Sequence, residues 1–176
     1  MAYSREKKPK PPLEHAGLLE YAVRLLASRM KSERDLRRLM QQRAVPGDDG
    51  REAMDQVIAK LKELGYLSDE RFAADFTRLR KDNDKFGQRR VQQGLMQKGI
   101  AAPLVKEALG SAYEDVDEVA LAKAYAERKR MKKPEGEKEV AKAMRRLMAA
   151  GFSSKAIWKV LRGWGAEVEE VDVVED

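Results

Sequence analysis

The side chains best equipped for chemistry in this sequence are cations set in runs. Arg78, Arg80, Lys81, Lys85, Arg89 and Arg90 crowd the junction between two helical segments. Arg128, Lys129, Arg130, Lys132 and Lys133 form a second run around Met131. Lys138, Lys142, Arg145 and Arg146 recur on much of one face of a later segment. Guanidinium and ammonium groups placed this way pair with phosphates or with acidic patches on a partner protein, which is chemistry of binding rather than of bond-making. They also have a plainer use. Cations near helix C-termini favour the dipole, and acids four residues earlier neutralise many of them. Few acids interleave in Arg128–Lys133, which favours binding there; for Lys142, Arg145 and Arg146 the two uses are balanced.

Near the end, Lys155, Lys159 and Arg162 lie on one side of a helical pattern, and Ile157, Val160, Leu161 and Trp164 line the other. Trp158 falls between, four residues before Arg162. An aromatic beside cations can stack on a base or on a partner side chain. More often such a tryptophan packs against a neighbouring structural unit.

Catalytic chemistry finds little to work with. His15 is the one histidine, beside Glu14, and there is no cysteine. A Ser-His-Asp arrangement, a thiolate site and a histidine-rich metal site are therefore not expected. No Gly-x-x-x-x-Gly-Lys-Ser/Thr run is present to cradle phosphates. Paired acids such as Asp69/Glu70 and Glu114/Asp115 read as helix-start residues. The expectation is a protein that is not an enzyme and holds no cofactor or metal.

Elements must position these cations, and the composition bounds what those are. Charged residues make up 38% of the 176, aromatics only 6%. Such a chain suits slim helical modules with much solvated surface better than one thick core. The net charge of +6 hides an asymmetry: all 36 Lys and Arg precede residue 167, while six of the 30 acids follow residue 166. Residues 1–166 therefore carry +12, and a tail of Glu167, Glu169, Glu170, Asp172, Glu175 and Asp176 carries the rest. A basic body with an acidic tail points to a polyanionic or acidic partner. No run approaches the ~18 apolar residues of a membrane span, and Met1–Pro12 is basic and Pro-rich with no apolar signal core. The absence of thiols fits a reducing cytoplasm.

Hydrophobic periodicity is helical throughout. Met54, Val57, Ile58, Leu61 and Leu64, then Leu104, Val105, Ala108, Leu109 and Ala112, recur at steps of three and four. About nine helices are expected. The first runs near Leu18–Met30, and the seventh near Val116–Met131. Ser32, Ser68 and Ser153 or Ser154 are the N-cap candidates. Gly65, Gly99 and Gly151 end helices, and Pro103 opens one. Phe72, Phe76 and Leu79 form the expected buried face of the fourth. Leu95-Met96-Gln97-Lys98-Gly99-Ile100 reads like Leu147-Met148-Ala149-Ala150-Gly151-Phe152, an offset of 52. Leu39-Met40-Gln41-Gln42 starts the same way, with Arg43 where the glycine would be. The reading is an all-α fold of three tandem three-helix, helix-turn-helix-like repeats in an elongated, curved array. Its segments are a basic tail at 1–16, repeats at 17–66, 67–113 and 114–166, and an acidic tail at 167–176.

Several blocks in register resemble the RecX family of regulatory proteins. They are Tyr21–Arg29 with Ser32–Arg37, then Gly65-Tyr66-Leu67-Ser68-Asp69-Glu70-Arg71-Phe72-Ala73, then Gly87-Gln88-Arg89-Arg90-Val91 with Leu95–Ile100, and finally Gly151-Phe152 with Ile157. The resemblance covers about residues 13–165. Gly94 departs from it, since the family commonly places an acid there; a glycine inside a helix costs about 1 kcal/mol against alanine. The resemblance implies a monomeric protein that binds the RecA recombinase and its filament on single-stranded DNA. It further implies inhibition of RecA's ATPase, strand-exchange and coprotease activities, and with it modulation of recombination and the SOS response. Apart from the resemblance, the +12 body predicts weak, non-specific affinity for single strands. About six neutralised phosphates predict a fall of roughly 10³-fold in affinity between 50 and 200 mM salt.

Two other readings stand beside this. Three-helix units with a tight turn also resemble helix-turn-helix DNA readers. The sixth helix, however, offers Lys106 and Glu107 and no Arg, Asn or Gln to address base edges. A purely structural helical scaffold is the second. The acidic tail, tethered through Gly163 and Gly165, is expected to compete weakly with phosphates for the basic residues or to serve solubility alone.

Overall fold

The computed structural model describes residues 11–166. The first ten residues of the basic stretch and the acidic tail lie outside the described residues. Among those described there are nine helices: α1 (His15–Ser28), α2 (Glu33–Gln41), α3 (Asp48–Glu63), α4 (Asp69–Asp82), α5 (Gln88–Gln97), α6 (Ala102–Tyr113), α7 (Glu118–Arg128), α8 (Glu137–Ala149) and α9 (Ser154–Gly163). The fold is all-α, and extended pairing among these residues is limited to one isolated bridge between Leu13 and Ala44.

Local chemistry sets most of these boundaries. Ser32, fully buried, accepts the Asp35 N–H at 3.2 Å and opens α2; Ser68 accepts the Arg71 N–H at 3.1 Å ahead of α4. Of the two serines available to α9, Ser153 is the cap, accepting the Ala156 N–H. Helix α7 starts later than its apolar pattern predicts because Asp117 accepts from both Val119 and Ala120 N–H. It also stops earlier, at Arg128, where Arg130 turns left-handed (φ 48°) and the Met131 N–H reaches back to the Ala126 carbonyl. Gly65, Gly99 and Gly151 are left-handed terminators as expected.

The chain divides into two compact units, Met1–Phe72 and Ala73–Asp176. In the first, α1, α2 and α3 pack around Leu18, Ala22, Leu36, Met40, Val57, Ile58 and Leu61. The expectation of a tail through residue 16 is corrected here. Leu13 packs against this core, its N–H donates to the Arg43 carbonyl at 2.6 Å, and α1 already begins at His15. The buried register of α2 also differs by one residue from the repeat expected. Met40, not Leu39, takes the fully buried place that Leu95 and Leu147 hold in α5 and α8. Asp69 extends its role beyond a helix-start acid, since its Oδ1 accepts the Glu33 N–H at 2.8 Å and caps α2 from 36 residues away.

In the second unit α5 packs on α6, and α7 and α8 pack on α9 around Ala122, Ala143, Leu147, Phe152, Ile157, Val160 and Leu161. Trp158 and Trp164 sit half-buried against this core. Glu118 binds both the N–H and the hydroxyl of Ser153, at 2.7 and 2.6 Å, tying α7 to the start of α9. The α5 start meets the α8 end directly: the Gly87 N–H donates to the Ala150 carbonyl at 2.9 Å. One correction concerns α4. Phe72, Ala73 and Thr77 are buried, Phe76 is half-buried and Leu79 is exposed. The small residues Ala73 and Thr77 lie at the centre of the packed face, which leaves Leu79 more than a third of a turn away, outside it.

Candidate nucleic-acid and partner interface

The α4–α5 junction is built by ties that fix its loop. The Lys81 Nζ donates to the Ala112 carbonyl at 3.0 Å, so this cation closes the end of α6 and is itself half-buried. The Tyr113 hydroxyl donates to the Phe86 carbonyl at 2.8 Å. Burial, reinforced by the charge of Asp82, holds the Tyr113 phenol above its ordinary pKa, so it remains a donor. Between these ties Lys85 adopts φ 57°. Lys85 and Arg130 are the two non-glycine residues with left-handed backbone among those described, and both belong to the basic runs. Such positions cost about 1 kcal/mol or more and persist only where the surroundings impose them.

These ties bring together one set of the predicted cations and leave others apart. Arg80 lies over the Phe76 ring at 5.0 Å and pairs with Asp84 at 2.7 Å. Arg90 lies over the Phe86 ring at 5.9 Å. Arg128, from the far end of α7, reaches the other oxygen of Asp84 at 3.6 Å. One carboxylate thus joins the two basic runs. Lys129 sits over Tyr125 at 5.9 Å. Arg78 pairs with Asp75 along its own helix. Arg89, Arg130, Lys132 and Lys133 are exposed, as are Lys142, Arg145 and Arg146 on α8 and Lys155, Lys159 and Arg162 on α9.

Phe76, Arg80, Phe86, Arg90, Val91, Gly94, Gln97 and Lys98 line a cavity of about 300 Å³. The sequence reading missed Phe76, Phe86, Gln97 and Lys98 as site candidates. Its one available signal was Gly94, treated there as a cost. In the structure a Cβ on Gly94 would stand 2.9 Å from the Phe76 Cζ, so the glycine lets the Phe76 ring lie on the backbone of α5. No group of three or more His, Cys, Asp or Glu residues among those described is placed to hold a metal ion. No helix among them is long and apolar enough to cross a membrane.

Known proteins share both the sequence and the fold. The regulatory protein RecX of Escherichia coli K12 is 35% identical over 93% of this chain and 99% of its own length. This chain belongs to the RecX family. The regulatory protein RecX of Shigella dysenteriae is 38% identical over 73% of the chain and 77% of its own. A family profile described as RecX, second three-helix domain, matches residues 68–109, the stretch that holds the whole cavity lining. Among solved structures, RecX from Lactobacillus salivarius matches with a TM-score of 0.65 at 18% identity, covering 86% of this chain and 96% of that one. A second structure, titled regulatory protein RecX, matches with a TM-score of 0.70 at 23% identity over 85% and 73%. These two similarities bear on the fold; the family membership rests on the closer sequence relatives.

Proposed function

We propose that this RecX-family chain acts in the cytoplasm as a monomeric, non-enzymatic regulator of a RecA-type recombinase, binding the recombinase and its filament on single-stranded DNA. In this role it inhibits ATP hydrolysis, strand exchange and coprotease activity, and so tunes recombination and the SOS response. The observation that carries the reading is the 35% identity to a RecX regulatory protein over nearly the whole of both chains. The surface supports it. Arg128 of α7 reaches the carboxylate of Asp84 that Arg80 of α4 also holds, and cations gathered this way meet strand phosphates or filament acids. Helix α6, the element a helix-turn-helix reader would insert, exposes Lys106 and Glu107, a poor set for base edges.

The test is ATP hydrolysis by RecA assembled on single-stranded DNA. Substoichiometric protein is expected to slow it and to shorten the filaments. Unchanged rate and filament length at equimolar protein would overturn the proposal. Charge reversal of Arg128, Lys129 and Arg130 together is expected to weaken both strand binding and inhibition; equal titrations of variant and parent would remove that run from the interface.

A further inference from the structure

We propose that the cavity between α4 and α5 grips one unstacked nucleotide of a single strand, its base against the Phe76 and Phe86 side and its phosphate among Arg80, Arg90 and Lys98. This deepens the functional proposal above and rests on it for the biological strand, but the site is argued from its own lining.

Three cations and no acid line the cavity, together with two phenyl rings, Val91 and the bare backbone at Gly94. Each ring already carries a guanidinium, at 5.0 and 5.9 Å. Ring faces and guanidinium planes both stack on a nucleobase, and neither reads its edge. Gln97, a neutral amide with donors and an acceptor, meets any base edge without strong preference. The volume, about 300 Å³, stands at the small end of the range for ligand sites and suits one nucleotide rather than a docked helix, which needs a long apolar trough. A peptide adding as a strand needs an open strand edge to pair with, and the cavity is walled by α4, α5 and the loop between them. Gly94 gives the site its depth. Without a side chain there, the Phe76 ring settles onto α5; a Cβ would stand 2.9 Å from its Cζ, so the ring would have to leave that place.

The measurement is binding of a labelled oligothymidylate to the full chain in the absence of RecA, against an abasic strand of equal length. The wild-type chain is expected to bind the base-bearing strand about tenfold more tightly, the scale of one base–aromatic stack. Phe76→Leu, which keeps apolar bulk and removes the ring, is expected to bring that ratio close to one at unchanged melting temperature. Arg80→Gln with Arg90→Gln is expected to weaken both strands and, through Arg90, to flatten the salt dependence. Equal binding of the two strands by the wild-type chain would overturn the site. A ratio that survives in a folded Phe76→Leu chain would overturn it too. So would an oligoglutamate that competes better than an oligonucleotide of equal charge, which would assign the cavity to an acidic protein segment. The outcomes separate from those of the regulatory proposal. Base preference without any effect on RecA would leave the site and remove the function; inhibition of RecA without base preference would do the reverse.

Discussion

The turn after α2 and the turn after α8 stand at the same place in their three-helix units, yet they are held by different means. After α8 the chain turns left-handed at Gly151 (φ 92°), and the bare backbone is pressed against the start of α5. A Cβ on Gly151 would lie 2.3 Å from the Arg90 nitrogen, and one on Gly87 would lie 2.4 Å from the Gly151 oxygen. The negative end of α8 meets the positive end of α5, with the Gly87 N–H on the Ala150 carbonyl. After α2 there is no glycine. Arg43 keeps an ordinary backbone, its carbonyl accepts from Leu13 at 2.6 Å, and its guanidinium reaches the Pro11 carbonyl at 3.2 Å and lies over Tyr21 at 5.5 Å. One turn is closed by backbone meeting backbone, the other by a side chain and the incoming N-terminal segment. A repeat therefore conserves the need to satisfy a helix end rather than the residue that does so.

The comparison breaks most readily at Gly151. Gly151→Ala adds a steric clash with backbone to a left-handed φ, and a loss of about 3–5 kcal/mol is expected, read as a lower denaturation midpoint at unchanged slope. Gly87→Ala has no φ penalty and is expected to cost about 2 kcal/mol through overpacking alone. Because both changes break the same contact, the double variant is expected to cost less than their sum; strict additivity would mean the two glycines do not act through each other.

The α2 turn sharpens the comparison by predicting the opposite response to glycine. Arg43→Gly is expected to destabilise by about 1 kcal/mol, because it removes the hold on Pro11 and Tyr21 and no left-handed φ is there to be relieved. A gain in melting temperature would show that the two turns are alike after all.

The smallest effect expected is in the pH profile of the first unit. Burial raises the pKa of Glu33, but its hydrogen bonds and charge contacts with Lys62 and Arg37 outweigh this and hold it below the ordinary carboxylate range. Its stabilisation is thus present above the ordinary glutamate pKa and lost as pH falls through the depressed value. Asp69 has the opposite sign. Burial first, and the charge of Glu33, push its pKa up against the opposing Glu33 N–H and Lys62, so its ionisation weakens the fold as pH rises through that value. Glu33→Gln is expected to soften the acid limb of a pH–stability curve by well under 1 kcal/mol, the scale of partly exposed pairs. A steeper acid limb would mean that burial wins at Glu33.

The helices were legible because each has a local cause: the three-and-four spacing of Val57, Ile58 and Leu61, the serine caps, the terminating glycines. The misread places share a non-local cause. Leu79 fits the α4 stripe as well as Phe72 does, and only the packing at Ala73 and Thr77 decides which way the helix faces. Leu13 looked like tail because its partner Arg43 lies 30 residues on. Met40 rather than Leu39 is buried because it shares a helix face with Leu36, four residues earlier, which packs in the core formed with α1 and α3. At the candidate site the cations were visible as runs, but Lys81 is spent on a carbonyl of α6. The rings of Phe76 and Phe86 join the cations only through the fold. Gly94 carried the one hint, and its meaning needed the ring that lies against it.

Asp84 makes part of the basic surface its own counter-ion. A phosphate arriving at Arg80 or Arg128 displaces a carboxylate that stays attached to the protein. The strand still sheds its condensed cations there, but the freed carboxylate takes up a cation in turn, so the net ion release that gives strand binding its salt dependence is smaller at those two contacts. The slope of log affinity against log salt therefore counts fewer ions than the strand has contacts, and the charge of +12 overstates how steeply this chain lets go of DNA as salt rises.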